Sequence, residues 1–436
     1  MSRFLFTVWP LTGHVYPNLS IARELAAMGH EVAFYTGAKF RELVESEGFR
    51  HFPLQKVDEA HIDEMFMSHR GIQGAKTPWH RRAMWRECVL DTIPAQLDDL
   101  DAVLASWSPQ VIVCDATMWA PFLVLHESRH IPVAIFSLIP ACHLAGPQGP
   151  VMGIPMPRPV KAWQRQRARV LRVLSDFFLR EIRQRADEFR RHAGLPRLTC
   201  TPTNHGGLMP LYLVPGSPEF DYERTDLPRS VQYVGPCLWK GKDEALPDWI
   251  AGLPADQPLV YASEGTVHLD PRVLRAVAQG LGGLPIQVIM TTGKHRDPST
   301  LDLGVRPLPP NIHVRQWVPL NALIPKLSAM VTIGGPGTMM AAIEAGIPVV
   351  IVPFAWDHPE AGWRLQASGA GILLQPRDCT PGNMRRAVER VLADPSYHEN
   401  ALRLAGTFTR LGGSPEAARK IAALAGDPAG GKEPFH

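Results

Sequence analysis

The sequence predicts an α/β protein made of two doubly wound, parallel-sheet domains, and three observations carry that expectation. Short apolar runs rich in β-branched residues alternate with helical segments and glycine turns along most of the chain. The length of 436 residues exceeds what one hydrophobic core usually supports, while 45% apolar content is ample for two. Residues 226–258, with Gly235-Pro236, Lys240-Gly241-Lys242, Leu253-Pro254 and Gln257-Pro258, have the composition of a linker.

The first half opens on a strand at Phe4-Leu5-Phe6-Thr7-Val8 and a loop through His14. A helix follows, in which Leu19, Ala22, Leu25 and Ala26 share a face and Gly29 is the stop; a second strand spans Glu31 to Tyr35. Val111 to Cys114 and Val133 to Phe136 read as further strands, separated by a helix around Pro121 to Ser128. Arg158 to Arg191 is the one strongly charged segment. Val170, Leu171, Leu174, Phe177, Phe178 and Ile182 recur there at helical spacing, so an amphipathic helix with its apolar stripe packed on the first domain is expected. A membrane-surface or acidic-partner contact is the alternative. Leu259 to Ala262 opens the second half. Its most informative stretch is Ala329 to Val352: an apolar run to Ile333, the turn Gly334-Gly335-Pro336-Gly337-Thr338, a helix from Met339 to Ala345, then Gly346, Pro348 and the run Val349 to Val352. A terminal helix near Pro415 to Leu424 precedes a Gly/Pro tail.

Composition narrows the function classes. A net charge of +3 argues against general nucleic-acid binding. Six cysteines stand without a CxxC pair, which favours reduced thiols over a disulfide framework or a metal site. Phe4 to Trp9 is too short an apolar segment for a signal peptide, and no run approaches a membrane span, so a cytoplasmic protein is expected.

In a parallel βαβ unit, a glycine turn aims backbone N–H groups and a helix N-terminus at anything anionic beyond the strand ends. The order His313-Val314-Arg315-Gln316-Trp317-Val318-Pro319, the glycine turn, Ala345-Gly346-Ile347-Pro348, Trp356-Asp357 and Gly369-Ala370-Gly371 resembles the donor-binding half of GT-B glycosyltransferases that use nucleotide sugars. The upstream Ser263-Glu264-Gly265-Thr266 fits the same pattern. The resemblance implies two Rossmann-like domains facing a cleft: an acceptor-binding domain over 1–225, a linker over 226–258, a donor-binding domain over 259–415, and a terminal helix and tail over 416–436. It implies a UDP- or TDP-sugar as co-substrate, with no other cofactor and no metal, held by Trp317 on the base, the glycines Gly334, Gly335 and Gly337 with Thr338 at the phosphate, and Asp357 on the sugar hydroxyls, with Ser263, Thr266 and His358 as further donor-binding positions.

His14 follows the first strand and Asp115 follows the strand Val111 to Cys114, so in a parallel sheet both emerge at carboxyl ends, where an imidazole can take a proton and a carboxylate can orient it. In the family, the matching histidine deprotonates the acceptor hydroxyl and the matching aspartate supports it, giving an inverting transfer. Trp79, Trp85, Met118, Trp119, Phe136 and His143 lie in segments that would line a pocket for a hydrophobic natural-product acceptor.

The donor half departs from the family pattern. Ile333 stands where a histidine usually precedes the glycines, Leu320 where a glutamine contacts the base, Ala341 where a glutamate holds the ribose, His358 for a glutamine and Ala361 for an asparagine; Pro336 lacks an N–H. Charged hydrogen bonds to phosphate contribute roughly 1.5 to 3 kcal/mol each, so these losses bear on affinity. A second reading therefore stays open: a GT-B protein that has lost nucleotide-sugar use and performs acid-base chemistry on a hydrophobic metabolite, or acts as a silent partner. Homodimerisation is left open by the sequence.

Overall fold

The computed structural model describes the chain except residues 68–76, 139–142, 150, 152–153, 155, 223, 242–244, 266–269, 294–295, 355–356 and 427–436. The chain divides into two compact units, one formed by residues 1–239 and 411–436 and the other by 240–410.

The first unit is built on β1 (Arg3–Thr7), β2 (Glu31–Thr36), β3 (Arg50–Pro53), β4 (Val111–Asp115), β5 (Val133–Phe136), β6 (Leu211–Val214) and β7 (Val231–Tyr233). They form one sheet in the order β3-β2-β1-β4-β5-β6-β7, with each neighbouring pair parallel. Successive side chains of a strand alternate between faces. Phe4, Phe6, Phe34, Val111 and Val113 accordingly enter one core, and Leu5, Ala33, Tyr35, Ile112 and Cys114 enter the other. Both faces are buried, which is why the strands read as near-continuous apolar runs. The main helices of this part are α1 (Thr12–Ala27), α2 (Ile93–Trp107), α3 (Ala162–Phe178) and α4 (Arg180–His192).

The second unit carries β8 (Leu259–Ser263), β9 (Gln287–Thr291), β10 (Ile312–Arg315), β11 (Ala329–Thr332), β12 (Val349–Ile351) and β13 (Gly371–Leu373), in the order β10-β9-β8-β11-β12-β13 and again parallel throughout. Its main helices are α5 (Arg272–Leu281), α6 (Pro336–Glu344), α7 (His358–Ser368), α8 (Pro381–Ala393) and α9 (Pro395–Leu411). The last helix, α10 (Gly413–Gly426), belongs to the first unit.

Three local expectations change. The helix after β1 begins at Thr12 rather than beyond His14, because the N–H groups of His14 and Val15 both bond the Leu11 carbonyl and so start the turn early. Pro17 sits inside it, and the Asn18 amide donates to the His14 carbonyl at 2.9 Å. Within 226–258, Val231–Tyr233 is the edge strand of the first sheet, and the break between units falls after Trp239. The stripe of the basic segment divides between two helices: Ile182 on α4 enters the first core and Leu171 packs beside Ala168 on Val151 and Met156, whereas Val170, Leu174 and Phe177 of α3 are exposed.

Helix α10 closes the first core from outside the strand series. Ala417, Ala418 and Ile421 are fully buried with α1, the Ser414 and Ser20 hydroxyls lie 2.7 Å apart, and the Gly413 N–H bonds the Val234 carbonyl at 2.6 Å. Removing a buried isoleucine side chain leaves a cavity. Ile421→Ala should therefore destabilise the first unit by roughly 2 to 5 kcal/mol, read as a lowered urea midpoint; an unchanged midpoint would show α10 to be dispensable.

Candidate functional site

In the first unit, chemistry-bearing groups collect at the carboxyl ends of β1 and β4. These strands are parallel neighbours with Thr7 beside Cys114, so the residues leaving them emerge together. Asp115 is the last residue of β4 and His14 lies in the first turn of α1. His14 Nδ1 and Asp115 Oδ2 are 2.5 Å apart, and the carboxylate's other oxygen accepts the Thr117 N–H at 2.9 Å and the Thr117 hydroxyl at 2.8 Å. Burial alone would raise the Asp115 carboxyl. The charge on His14, with hydrogen bonds from His14 and Thr117, outweighs it and holds the group below the usual carboxylate range. Asp115 is buried, whereas a fifth of the His14 side chain is exposed at 20%. With Nδ1 engaged, Nε2 is the nitrogen that can take a proton.

The aromatic residues named from the sequence separate into two groups. Met118, Trp119 and Phe136 are fully buried in the cores. Trp85 is half-buried, with its ring edge-on to both Trp119 and His143 at 6.1 Å, and its Nε1 is buried with no hydrogen-bond partner among the described residues. Trp79 is exposed and packs edge-on against Phe178 at 4.7 Å. Trp9, which sequence reasoning passed over, adds a second buried indole N–H without a described partner just after β1.

In the second unit the glycine turn links β11 to α6. Gly334 has φ of +100°, and a Cβ there would lie 2.5 Å from Ile351 Cδ1, so both backbone and packing demand glycine. Gly335 is the N-cap of α6 without any side-chain cap, and Cβ atoms placed on Gly335 or Gly337 would meet nothing within 4 Å. The N-terminus of a nine-residue helix thus opens on free space with Thr338 in its first turn, an arrangement suited to an anion. Ile333 is turned into the core of this unit, with Cδ1 3.5 Å from where a Gly265 Cβ would sit. Ser263 ends β8 and its hydroxyl accepts the Gly265 N–H at 3.1 Å; Thr266 lies outside the described residues. Trp317 is exposed and Ala361 is buried. Asp357 N-caps α7 by position but not by hydrogen bond: its Oδ2 is buried without a described partner, and so is Nδ1 of His358. Burial pushes the His358 imidazole below its usual range, against the opposing pull of the Asp357 charge. Among the described residues, no group of three or more His, Cys, Asp or Glu could hold a metal ion.

Residues 12–143 match the glycosyltransferase family 28 N-terminal domain, and residues 278–424 match the erythromycin biosynthesis protein CIII-like C-terminal domain. The chain is 32% identical over 410 residues to 4'-demethylrebeccamycin synthase of Lentzea aerocolonigenes, covering 92% of this chain and 94% of that protein. The chain belongs to the bacterial natural-product glycosyltransferases. This glycosyltransferase is also 26% identical over 440 residues to demethyllactenocin mycarosyltransferase of Streptomyces fradiae, across 97% of its own length and 87% of the relative's. Its fold is GT-B. The glycotransferase of kitacinnamycin superposes with a TM-score of 0.75 at 22% identity, over 97% of this chain and 99% of that one. The glycosyltransferase VinC in complex with DTDP gives 0.70 at 20% identity, over 97% and 99%.

One buried acid of the glycosyltransferase's second unit was missed as a candidate. Glu264, between Ser263 and Gly265, accepts the N–H groups of Val273 and Leu274 at 2.9 and 3.2 Å and pairs with Arg296 at 3.3 Å, tying the loop after β8 to the start of α5. Burial lifts its carboxyl from the ordinary 4.5 to about 7, against the N–H bond from Leu274 and the Arg296 charge. The folded state then holds a proton that the unfolded chain releases, so stability falls as pH rises from 4.5 to about 7 and the contribution levels off above. Glu264→Gln should flatten that slope in urea unfolding measured across this range; an unaltered slope would place the titration elsewhere.

Proposed function

We propose that the chain is an inverting glycosyltransferase that moves a sugar from a UDP- or TDP-sugar to a hydrophobic natural-product acceptor, with His14 as the base and Asp115 as its support. The observation that carries this is the 2.5 Å contact between His14 Nδ1 and the buried Asp115 carboxylate. The carboxylate fixes the tautomer and stabilises the imidazolium formed when Nε2 removes the acceptor proton. The acceptor oxygen then bonds the anomeric carbon as the bond to the nucleoside diphosphate breaks, which inverts that carbon. Trp85 and His143 are the acceptor-side candidates that the reading retains. Met118, Trp119 and Phe136, at most 1% exposed, are read as core packing, whereas His143 keeps 8% exposure.

On the donor side, the reading rests on the open N-terminus of α6, with Gly334, Gly335, Gly337 and Thr338 around it. The names of the relatives support sugar transfer in general, and the DTDP bound to VinC supports a nucleotide diphosphate as the donor's leaving group. Ile333 provides no polar group, but His358 Cβ lies 3.3 Å from where a Gly334 Cβ would stand, and its Nδ1 has no described partner. On this reading His358 takes the role that the family pattern gives an imidazole at 333, and Asp357 is kept for the sugar hydroxyls.

His14→Ala should remove nearly all transfer, whereas Asp115→Asn should retain more, because an asparagine can still hold the ring; turnover is read by release of UDP or TDP with an acceptor panel. Equal rates for His14→Ala and the unmodified protein would sink the dyad. His358→Ala should weaken UDP or TDP binding by about tenfold, roughly 1.4 kcal/mol, in calorimetry. An unchanged Kd would remove His358 from the donor site. Failure of the unmodified protein to bind either nucleotide, with turnover in the absence of any donor, would favour sugar-independent chemistry.

A further inference from the structure

Helix α3 is amphipathic in the opposite sense to a packed surface helix. Advancing about 100° per residue, Trp163, Val170, Val173, Leu174 and Phe177 share an arc of roughly 100°. All of them face solvent, from 51% exposed for Val170 to 68% for Val173 and Phe177. The inner face is thin: Ala168 packs on Val151 and Met156 with Leu171 beside them, and Arg172 donates to the Gly149 carbonyl at 3.3 Å. The outward stripe continues into its neighbours. Exposed Val160 precedes the helix, and Phe178 at its end meets exposed Trp79.

Cations edge the stripe. Between residues 158 and 180 there are seven Lys or Arg and one acid, Asp176. Arg167 falls beside Leu174 on one edge of the arc and Arg169 beside Val173 on the other, and both are exposed. The Arg180 guanidinium lies 4.9 Å from the Phe177 ring centroid, and that of Arg82, which pairs with Glu181 at 3.0 Å, lies 4.8 Å from both Trp79 and Phe178.

We propose that the outward face of α3 is a docking surface for an anionic lipid bilayer, with the helix lying in the plane of the headgroups. The stripe carries aromatic and aliphatic side chains without a charge inside it. Its flanking arginines have stems long enough to keep their cations at headgroup level while the stripe enters the acyl boundary. A second copy of this chain is disfavoured as the occupant, since pairing α3 with itself would bring arginine rows together with only Asp176 to offset them. No helix of the described residues is long and apolar enough to cross a membrane, so the contact is peripheral. Such docking would bring the enzyme to the phase into which a hydrophobic acceptor partitions.

The test uses the full chain and vesicles of equimolar phosphatidylcholine and phosphatidylglycerol, with phosphatidylcholine alone as the comparison. The unmodified protein should sediment with the anionic vesicles, weakly with the neutral ones, and less as salt rises. Leu174→Gln with Phe177→Gln should lower anionic-vesicle binding by at least about tenfold while UDP or TDP binding stays unchanged. Arg167→Gln with Arg169→Gln, which alters no apolar contact, should lower binding to anionic vesicles only. Absence of vesicle binding, binding indifferent to lipid charge, or binding unchanged in both variants would overturn the proposal. So would light scattering that shows an unmodified dimer dissociated by the Leu174/Phe177 substitutions, or an acidic protein that competes for the face without any lipid association. Loss of turnover on a water-soluble acceptor in the Leu174/Phe177 variant would assign the face to the acceptor site instead.

Discussion

The parallel register between β1 and β4 is the constraint on which the first unit's chemistry depends. It sets Thr7 beside Cys114, so that α1 and the turn after Asp115 start at the same edge of the sheet. A slip of one residue would exchange the faces of every side chain on a strand, sending Phe4 and Phe6 away from α1 and α10. The apolar demand of two buried faces therefore fixes a polar contact at the strand ends. Hydrophobic burial does not choose histidine or aspartate, but it determines that whatever stands at 14 and 115 will meet.

Much of this was legible because it depends on local signals. Short β-branched runs bounded by glycine marked the strands, and the His14–Asp115 pairing was expected from the family motif at both positions together with their places just after two strands. What stayed hidden depends on three-dimensional packing. Val231-Gln232-Tyr233 is too short and too close to proline and glycine to stand out from a linker, and it becomes a strand only because β6 offers it an edge. Glu264 reads as an ordinary polar residue in a loop; its role is set by the helix start of α5, which is brought to it by the fold. Periodicity located apolar positions across α3 and α4 but carries no sign, so it could not say that Ile182 would enter the core while Val170, Leu174 and Phe177 faced outward.

The turn proposed for the donor shows how a backbone site would tolerate side-chain change. The element offered to an anion in that proposal is the open N-terminus of α6, and Gly334 keeps the turn because both its φ and the nearness of Ile351 exclude any side chain. Ile333 is directed into the core, where an isoleucine is at no disadvantage. The peptide dipoles do not depend on residue 333, so substitution there changes which side chains can assist without dismantling the cradle.

The return of α10 to the first unit has a temporal consequence. The first unit is closed by the last helix of the described chain, with the entire second unit intervening between Trp239 and Leu411. During synthesis from the ribosome, the second unit, being contiguous, has all its segments available before the first has its own. Until Gly413–Gly426 emerges, the face of the first sheet that receives Ala417, Ala418 and Ile421 stays uncovered, apolar and open to wrong partners. A stop or nick within the last two dozen residues would leave every proposed catalytic and donor residue in place and still act on the unit that was translated first.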